Sequence, residues 1–519
     1  MKGAQPKRGT EASGSNDRCR RQQREPSRHE LLRENERLRK EVERLQKKLA
    51  EDETRFSEQQ ERISEQQEQI ADLERQLAHS RKNSRNCSKP PSSDGLAGEQ
   101  RERGRQQTRK RKSKRKPGVQ PGHPGKHRKL VDTDQVNRVV TVLPPQCKHC
   151  GEVLSGQEER VGDPQRVQVW ELPPIQADIT EYQCLKLQCS CCNKSTRAEV
   201  PQEAQDPFGP GVTALVAYLT VVCRMPRRVT ELFLERVLGI EMSLGSVQNC
   251  WEQASDAVQA PYEELQQQLR HEPVLNVDET GWRNNGDKRW IWGFVALRFT
   301  FYTIAKDRSA EVLAAMLGAI FAGILCSDRL ATYGKYHKGL AQWCWAHLQR
   351  TLQGMLDFAR TLEAEHFARA ALKLSKRLFR LWRRFKSGAI DRPQLMAKSK
   401  PILKGFRRLA EDYWNSADRE VSNFATAIGQ HFDRLFCFLE QEGVEPTNNS
   451  VEQALRTAVQ WRKICFGNRS ECGERATARL LTVTQTCARQ GRNSLVYLTD
   501  AIRNHRRGLP SPSLLPSQQ

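Results

Sequence analysis

The chain has 519 residues, and 85 Lys and Arg against 62 Asp and Glu give it a formal net charge of +23. This length predicts several domains, and so large a positive charge favours polyanionic partners such as nucleic acid. Sixteen cysteines without an apolar leader predict reduced thiols and metal ligands instead of disulfides. No apolar run reaches the ~18 residues of a membrane span. Secreted, membrane-spanning and small disulfide-rich classes are therefore excluded.

Residues 1–27 are polar and predicted to be disordered, and residues 28–82 then carry an apolar heptad repeat. Its a positions are Asn35, Val42, Leu49, Phe56, Ile63, Ile70 and Leu77, and its d positions are Leu31, Leu38, Leu45, Asp52, Gln59, Gln66 and Leu73. Such a repeat predicts a leucine-zipper-like coiled coil, and an Asn at an a position favours a parallel homodimer. A single solvated helix is the alternative, because three successive d positions are polar.

Residues 83–130 form a basic segment rich in proline and glycine, in which thirteen Lys or Arg and one acid lie between Arg101 and Leu130. Proline and glycine exclude regular structure there, so a flexible arm that neutralises DNA phosphates is predicted. A solubilising linker is the alternative. The DNA-contact candidates are its most closely spaced basic residues, Arg109, Lys110, Arg111, Lys112, Lys114, Arg115 and Lys116.

Residues 131–205 contain two CxxC pairs, Cys147 with Cys150 and Cys189 with Cys192. Each pair can place two thiolates on one tetrahedral ion, so one structural Zn²⁺ in a zinc ribbon is predicted. The 38 residues between the pairs exceed the usual spacing, and unrelated reduced cysteines are the alternative. Cys184, Cys191 and His149 are substitute ligands.

Residues 206–270 predict a helical region with helices over Val212–Cys223, Arg227–Leu238 and Leu244–Val258, the last capped by Ser243. A helix–turn–helix of this size can dock one helix in a DNA groove. Plain packing is an equally good interpretation of the same pattern.

Two acids follow apolar strands in residues 271–350. Asp278 ends the strand that starts at Pro273, and Asp328 ends the strand that starts at Ala322. A turn at Gly281–Trp282 and strands over Arg289–Leu297 and Phe299–Ala305 are predicted between them. Two such strands put both carboxylates at one edge of a sheet, although many proteins carry an Asp at a strand end.

A third acid, Glu452, lies in a helix that opens residues 446–503, and Arg456 shares its face and can pair with it. Carboxylates from two strands and one helix suit Mg²⁺, and two ions about 4 Å apart would activate a water or a 3′-hydroxyl. Each acid alone can equally be a surface residue. Residues 351–445 are then a helical insertion, and residues 504–519 a disordered tail. The insertion has a basic face that either lines a DNA channel or is simply solvated: Lys373, Lys376, Arg377, Arg380, Arg383, Arg384 and Lys386.

The strings NVDETGW, SDRLATY, CWAHLQR and NNSVEQALR resemble DDE transposases of the insertion-sequence-66 family. NCSKPPSSDG and KPGVQPGHPGKHRKL resemble the same family's segment between coiled coil and ribbon. The resemblance implies an RNase H-like α/β core with Asp278, Asp328 and Glu452 as catalytic triad on two Mg²⁺ (or Mn²⁺) ions. It places His347 and Arg350 near the active site, and a hydrogen-bonded structural role is the alternative for His347. Gln453 stands where the family commonly has Arg.

The whole is thus predicted to be a multidomain α+β transposase that cleaves and transfers DNA strands. Its expected partners are the element's terminal inverted repeats, target DNA, a second copy or higher oligomer, and helper proteins of the same element, with no membrane. A cytoplasmic, nucleoid-associated bacterial protein is expected. A catalytically inert, dimeric, zinc-dependent DNA-binding protein is one alternative, and an RNase H-class nuclease acting on RNA–DNA hybrids is another.

Overall fold

The computed structural model describes residues 28–83, 86 and 129–515. The chain divides into two compact units, residues 1–82 and 83–519. In the first unit, α1 (Arg28–Arg81) is one continuous helix of 54 residues. Apolar heptad side chains along it are exposed, Phe56 by 68%. The coiled coil that would cover them stays a prediction. Residues 1–27 and the seven DNA-contact candidates of the basic arm lie outside the described residues.

Residues 129–205 contain two cysteine turns and one short antiparallel hairpin, β1 (Lys186–Gln188) with β2 (Ser195–Arg197). None of these 77 consecutive residues is buried. Since folded segments are normally held by buried apolar surface, this one has no hydrophobic core of its own.

Four helices follow: α2 (Pro210–Val221), α3 (Arg227–Leu238), α4 (Leu244–Ala257) and α5 (Gln259–Gln268). The bounds of α3 are those predicted, and Ser243 caps α4 by accepting a hydrogen bond from the Ser246 N–H. Thus the local cap signal was sufficient here.

The central sheet is mixed and has the strand order β5-β4-β3-β6-β7. Its strands are β3 (Val274–Asn284), β4 (Asp287–Val295), β5 (Thr300–Ala305), β6 (Ile324–Ser327) and β7 (Ala341–Trp343). The first three form an antiparallel meander, whereas β6 and β7 run parallel to β3. The described chain is therefore a helix-rich α+β protein with a mixed sheet.

The predicted turn at Gly281–Trp282 is wrong, because β3 continues through both residues. The chain reverses instead at Asn285 and Gly286, whose φ angles of 50° and 90° suit a tight hairpin turn. Trp282 is buried, and its indole N–H donates to Asn468 Oδ1 at 2.7 Å. This anchor keeps the strand straight where a turn was expected.

Helices cover the sheet. After β5 come α6 (Ala310–Leu317) and α7 (Ala331–Tyr336), and α8 (Trp345–Asp357) follows β7. Near the C-terminus, α13 (Asn449–Cys465) packs against β3 and β4, and α14 (Glu471–Arg489) packs against β5. Their buried side chains join those of the strands in one apolar core.

Between α8 and α13 lie α9 (Leu362–Lys386), α10 (Arg392–Tyr413), α11 (Arg419–Gln430) and α12 (Phe432–Glu440). These helices have a second core, in which Trp345 of α8 meets Phe406 and Phe436. All seven basic residues predicted on α9 are exposed.

The prediction of a disordered tail is wrong for residues 504–515. The last helix, α15 (Ser494–Arg506), packs against α2 and α4, and the chain then folds back on it. Leu514 is fully buried, and Tyr497 donates to the Pro512 carbonyl at 2.6 Å. Within the described residues, no helix is both long and apolar enough to cross a membrane.

Candidate active site

Two neighbouring parallel strands bring Asp278 and Asp328 to the same level of the sheet. The ladder of β3 with β6 pairs Val274 with Ile324 and continues to Asn276 with Cys326. Extending this register by two residues places Asp278 beside Asp328, on strands that lie about 4.8 Å apart. Asp328 directly follows β6, as predicted, whereas Asp278 lies inside β3, at the point where its pairing with β6 has stopped.

A glycine lets α13 approach the face of the sheet that carries Asp278. Gly293 of β4 is the cross-strand partner of Asp278. A Cβ at Gly293 would lie 3.1 Å from Val451 and 3.2 Å from Leu455, both on α13. Because these two side chains occupy the space above Gly293, the first turn of α13, with Glu452, is held close to Asp278.

Asn448 joins three elements of the site. It precedes α13, but its side chain makes no capping bond and instead donates from Nδ2 to the Val277 carbonyl at 2.8 Å. Its backbone N–H donates to Cys344 Sγ at 3.2 Å, and its carbonyl accepts from the Glu452 N–H at 3.2 Å. Asn448 is only 1% exposed. This buried amide therefore fixes the start of α13 against both β3 and α8.

The Glu452 carboxylate is surrounded by side chains at the N-terminus of α8. Its Oε1 lies 3.6 Å from His347 Nδ1 and 3.8 Å from Cys344 Sγ, and its Oε2 lies 3.6 Å from Arg350 Nη2. Arg456 is exposed and, among the described residues, has no ion pair with Glu452. The predicted pairing within α13 is thus replaced by contacts with α8.

Asp278 is buried next to other acidic side chains. Burial raises the pKa of Asp278 well above its usual value, and the charges of Glu279, Asp328 and Glu452 raise it further. Burial also raises the pKa of Glu279 to about 6, although Tyr333 donates a hydrogen bond to that carboxylate. Carboxylates that disfavour each other's ionisation are stabilised by a cation, and their oxygens are the ligands that Mg²⁺ prefers.

Four residues of this region were not predicted: Glu279, Tyr333, Cys344 and Asn448. Each lies within one of the four strings that carried the family resemblance. Proximity to a triad acid in sequence was a usable signal for Glu279 alone. The other three act through contacts between elements that are distant in the chain.

The two cysteine pairs form similar local turns. The Cys147 carbonyl accepts from Gly151, and the Cys189 carbonyl accepts from Asn193, both at 2.9 Å. Backbone N–H groups within each turn lower the pKa of Cys147 and of Cys189. Within residues 28–83, 86 and 129–515, however, the group of three candidate ligands close enough for one ion is Cys344, His347 and Glu452. The zinc site of Cys147, Cys150, Cys189 and Cys192 stays a prediction.

Residues 206–476, more than half of the chain, match the family model described as "Transposase IS66 family". The chain belongs to the IS66 transposase family. The match includes the strands and helices that carry Asp278, Asp328 and Glu452. Residues 20–129 match a family of unknown function (DUF6444).

A curated relative is the uncharacterized protein y4qI of Sinorhizobium fredii (strain NBRC 101917 / NGR234). It is 25% identical over 256 residues, which cover 44% of this chain and 46% of the relative. This IS66-family chain thus spans about half the length of the curated relative it matches.

Proposed function

We propose that this IS66-family protein is a DDE transposase, which cleaves DNA strands at the ends of an insertion sequence and joins them to target DNA. One observation carries the proposal: β3, β6 and α13 present Asp278, Asp328 and Glu452 so closely that the charges of Asp328 and Glu452 both raise the pKa of Asp278. Adjacent parallel strands with an Asp on each, in a mixed five-stranded sheet, support an RNase H-like core.

The three acids fit a pair of Mg²⁺ or Mn²⁺ ions, because buried carboxylates at one sheet edge need positive charge to ionise together. When bound, such ions polarise the scissile phosphodiester and lower the pKa of the attacking hydroxyl or water. The protein's own residues position the acids. Asn448 fixes the helix that carries Glu452, and Arg350 holds one oxygen of the Glu452 carboxylate.

The remaining segments supply DNA and partner contacts in this proposal. The basic arm and the exposed basic face of α9 bind DNA phosphates, and residues 206–270 bind the terminal repeats. The cysteine turns close around one structural Zn²⁺. The exposed apolar stripe of α1 pairs two copies, so that both ends of an element are held together. Helper proteins and a nucleoid location are carried by the family resemblance alone.

The test uses the purified full chain and DNA that contains an element end. Asp278→Asn, Asp328→Asn and Glu452→Gln should each lower strand cleavage on the order of 10³-fold, because each removes a carboxylate that would hold the metal ions at the reacting phosphate. Binding of the end, measured by electrophoretic mobility shift, should be retained. Chelation of divalent metal should also stop cleavage, and Mg²⁺ or Mn²⁺ should restore it.

Asp500→Asn is the matched control, since Asp500 forms an exposed ion pair with Arg503 on α15. It should leave both cleavage and binding unchanged. Equal loss of binding and cleavage in Asp278→Asn would contradict the catalytic assignment. If the wild-type chain binds the end but fails to cleave it whichever divalent metal is supplied, the protein is an inert DNA-binding protein. Cleavage of RNA–DNA hybrids without end preference would identify a hybrid nuclease.

A further inference from the structure

We propose that Cys344, His347 and Glu452 form a binding site for one thiophilic divalent cation, represented by Zn²⁺. The site is separate from the predicted cysteine ribbon. It shares a single residue, Glu452, with the acid cluster of the proposed transposase reaction, which consists of Asp278, Glu279, Asp328 and Glu452.

Two of the three distances between the ligand atoms are close to those of a tetrahedral metal site. One ligand atom from each residue lies within 4.8 Å of the other two. Cys344 Sγ is 3.8 Å and His347 Nδ1 is 3.6 Å from Glu452 Oε1. Tetrahedral Zn²⁺ with ordinary bond lengths has sulfur–oxygen and nitrogen–oxygen edges of about 3.6 Å and about 3.4 Å. The distances from Glu452 Oε1 to the sulfur and to the nitrogen therefore need to shorten by only a few tenths of an ångström.

The donor atoms are also prepared for a cation. His347 Nδ1 is buried and, in the described structure, has no hydrogen-bond partner. A buried polar atom without a partner is costly, and metal coordination would satisfy it.

The Cys344 sulfur lies among backbone N–H groups at the start of α8. Asn448 donates to it at 3.2 Å. The backbone N–H groups of His347 and Ala346 also interact with this sulfur. These same N–H groups would stabilise the thiolate once a cation displaces its proton.

The ligand set predicts selectivity between metals. Sulfur and nitrogen ligands with one carboxylate oxygen suit Zn²⁺, whereas Mg²⁺ prefers oxygen ligands alone. A cation on Glu452 Oε1 engages the carboxylate that the acid cluster needs. Zn²⁺ should therefore inhibit cleavage that depends on Mg²⁺. This inhibitory consequence rests on the proposed function, but the binding of Zn²⁺ does not.

The binding test uses metal-free full chain titrated with Co²⁺, a spectroscopic substitute for Zn²⁺. Cys344→Ser and His347→Ala should each bind one equivalent fewer than wild type. The lost absorption should include a sulfur-to-metal charge-transfer band for Cys344. Cys487→Ser, a buried cysteine of α14, and Gln349→Ala on α8 are matched controls that should bind as wild type. If wild type, Cys344→Ser and His347→Ala bound the same number of Co²⁺ ions per chain, the proposed site would be overturned.

A wild-type measurement covers the case in which a variant fails to fold, as judged by circular dichroism. Cadmium NMR of the loaded wild-type chain should show a signal typical of one sulfur ligand with nitrogen and oxygen. That signal is well separated from those of all-sulfur sites. Its absence in a fully loaded sample would also overturn the site.

The inhibition test measures cleavage at constant Mg²⁺ while Zn²⁺ is added. With Zn²⁺ at ten times its dissociation constant, about ten of every eleven chains carry the ion. The wild-type rate should therefore fall about tenfold. An unchanged rate with the site filled would overturn the shared use of Glu452. A chain that cleaves under no condition would speak against the proposed function, while the Co²⁺ titration still decides the site.

Discussion

The cysteine turns and the acid cluster are both candidate cation sites, but they are built in opposite ways. Each turn is formed by consecutive residues, Cys147 to Gly151 and Cys189 to Asn193, with the same backbone hydrogen bond. The acid cluster is assembled from β3, the end of β6 and α13, which are distant in sequence. Its geometry therefore depends on the packing of the core.

The pKa shifts in the two regions also have opposite directions. Backbone N–H groups of their own turns lower the pKa of Cys147 and Cys189. Burial and neighbouring acids raise the pKa of Asp278 instead. The thiolate form of the cysteines is thus favoured in turns that have no hydrophobic core. The acids, in contrast, are held in place by a core that disfavours their ionised form.

The largest effect is expected where the core is absent. Cys150→Ser should remove one ligand of the predicted Zn²⁺, and structural Zn²⁺ sites contribute on the order of 10 kcal/mol to folding. Because no residue of 129–205 is buried, no hydrophobic core holds this segment. Limited proteolysis should then cleave within residues 129–205, while calorimetry shows the transition of the residue 206–515 core unchanged.

Cys223→Ser is the control for this prediction, because Cys223 is exposed and lies outside both turns. It should alter neither the cleavage pattern nor the calorimetric transition. If Cys150→Ser behaved like Cys223→Ser, the segment would not depend on metal and the contrast between the two regions would fail.

The next largest effect concerns Asn448. Asn448→Ala removes the bond to Val277 and leaves a buried carbonyl without a partner, which should cost about 2 kcal/mol of unfolding free energy. A small displacement of Glu452 should lower strand cleavage about 10²-fold. The Mg²⁺ concentration for half-maximal cleavage should rise as well, which a purely structural role would not cause.

Asn493→Ala provides the comparison, since Asn493 caps α15 by accepting from the Leu495 and Val496 N–H groups. Its loss should cost about 1 kcal/mol of unfolding free energy without changing the Mg²⁺ requirement. A parallel response of the two variants would show that Asn448 acts only on stability.

Local signals in the sequence predicted local structure well. The bounds of α3 and the Ser243 cap follow from residues within a few positions of one another. Asp328 at the end of β6 follows from one apolar run. The two CxxC turns are equally local, and the structure forms each of them separately.

Predictions that depended on distant contacts were less successful. The pairing of Arg456 with Glu452, predicted from helical spacing, is absent among the described residues, whereas His347 and Arg350, which the family resemblance placed near the active site, reach the carboxylate from another helix. Asn285–Gly286 was the stronger turn signal, yet only the burial of Trp282 explains why β3 extends that far. The polar tail looked disordered because nothing local indicates that Leu514 enters the core.

Glu279 gives a pH-dependent effect of intermediate size. Its pKa rises from 4.5 to about 6 on folding, so the folded chain binds the proton more tightly than the unfolded chain. The stabilising contribution is complete below pH 4.5 and is lost as the pH rises through about 6. A shift of this size corresponds to about 2 kcal/mol.

Glu279→Gln should remove this dependence. In metal-free protein, the unfolding free energy of the variant relative to wild type should rise by about 2 kcal/mol between acidic and neutral pH, measured by urea denaturation. Loss of the Glu279 charge also relieves Asp278, and this adds in the same direction. A difference that does not change with pH would show that the acid cluster is not strained.

The smallest effect tests how closely α13 must lie on the sheet. Gly293→Ala would place a Cβ 3.1 Å from Val451, so α13 must move by a few tenths of an ångström. We expect a loss of about 1 kcal/mol in unfolding free energy and a decrease of a few fold in cleavage. Gly245→Ala on α4 meets only Ser243 Oγ at 3.6 Å and should lower neither the unfolding free energy nor cleavage. The double variant Gly293→Ala with Val451→Ala should recover part of the cleavage lost in Gly293→Ala, because it relieves the closest contact of the new Cβ while the contact with Leu455 at 3.2 Å remains. Without that recovery, the distance between sheet and helix would not control Glu452, and the acid cluster would tolerate displacement as freely as the locally formed cysteine turns.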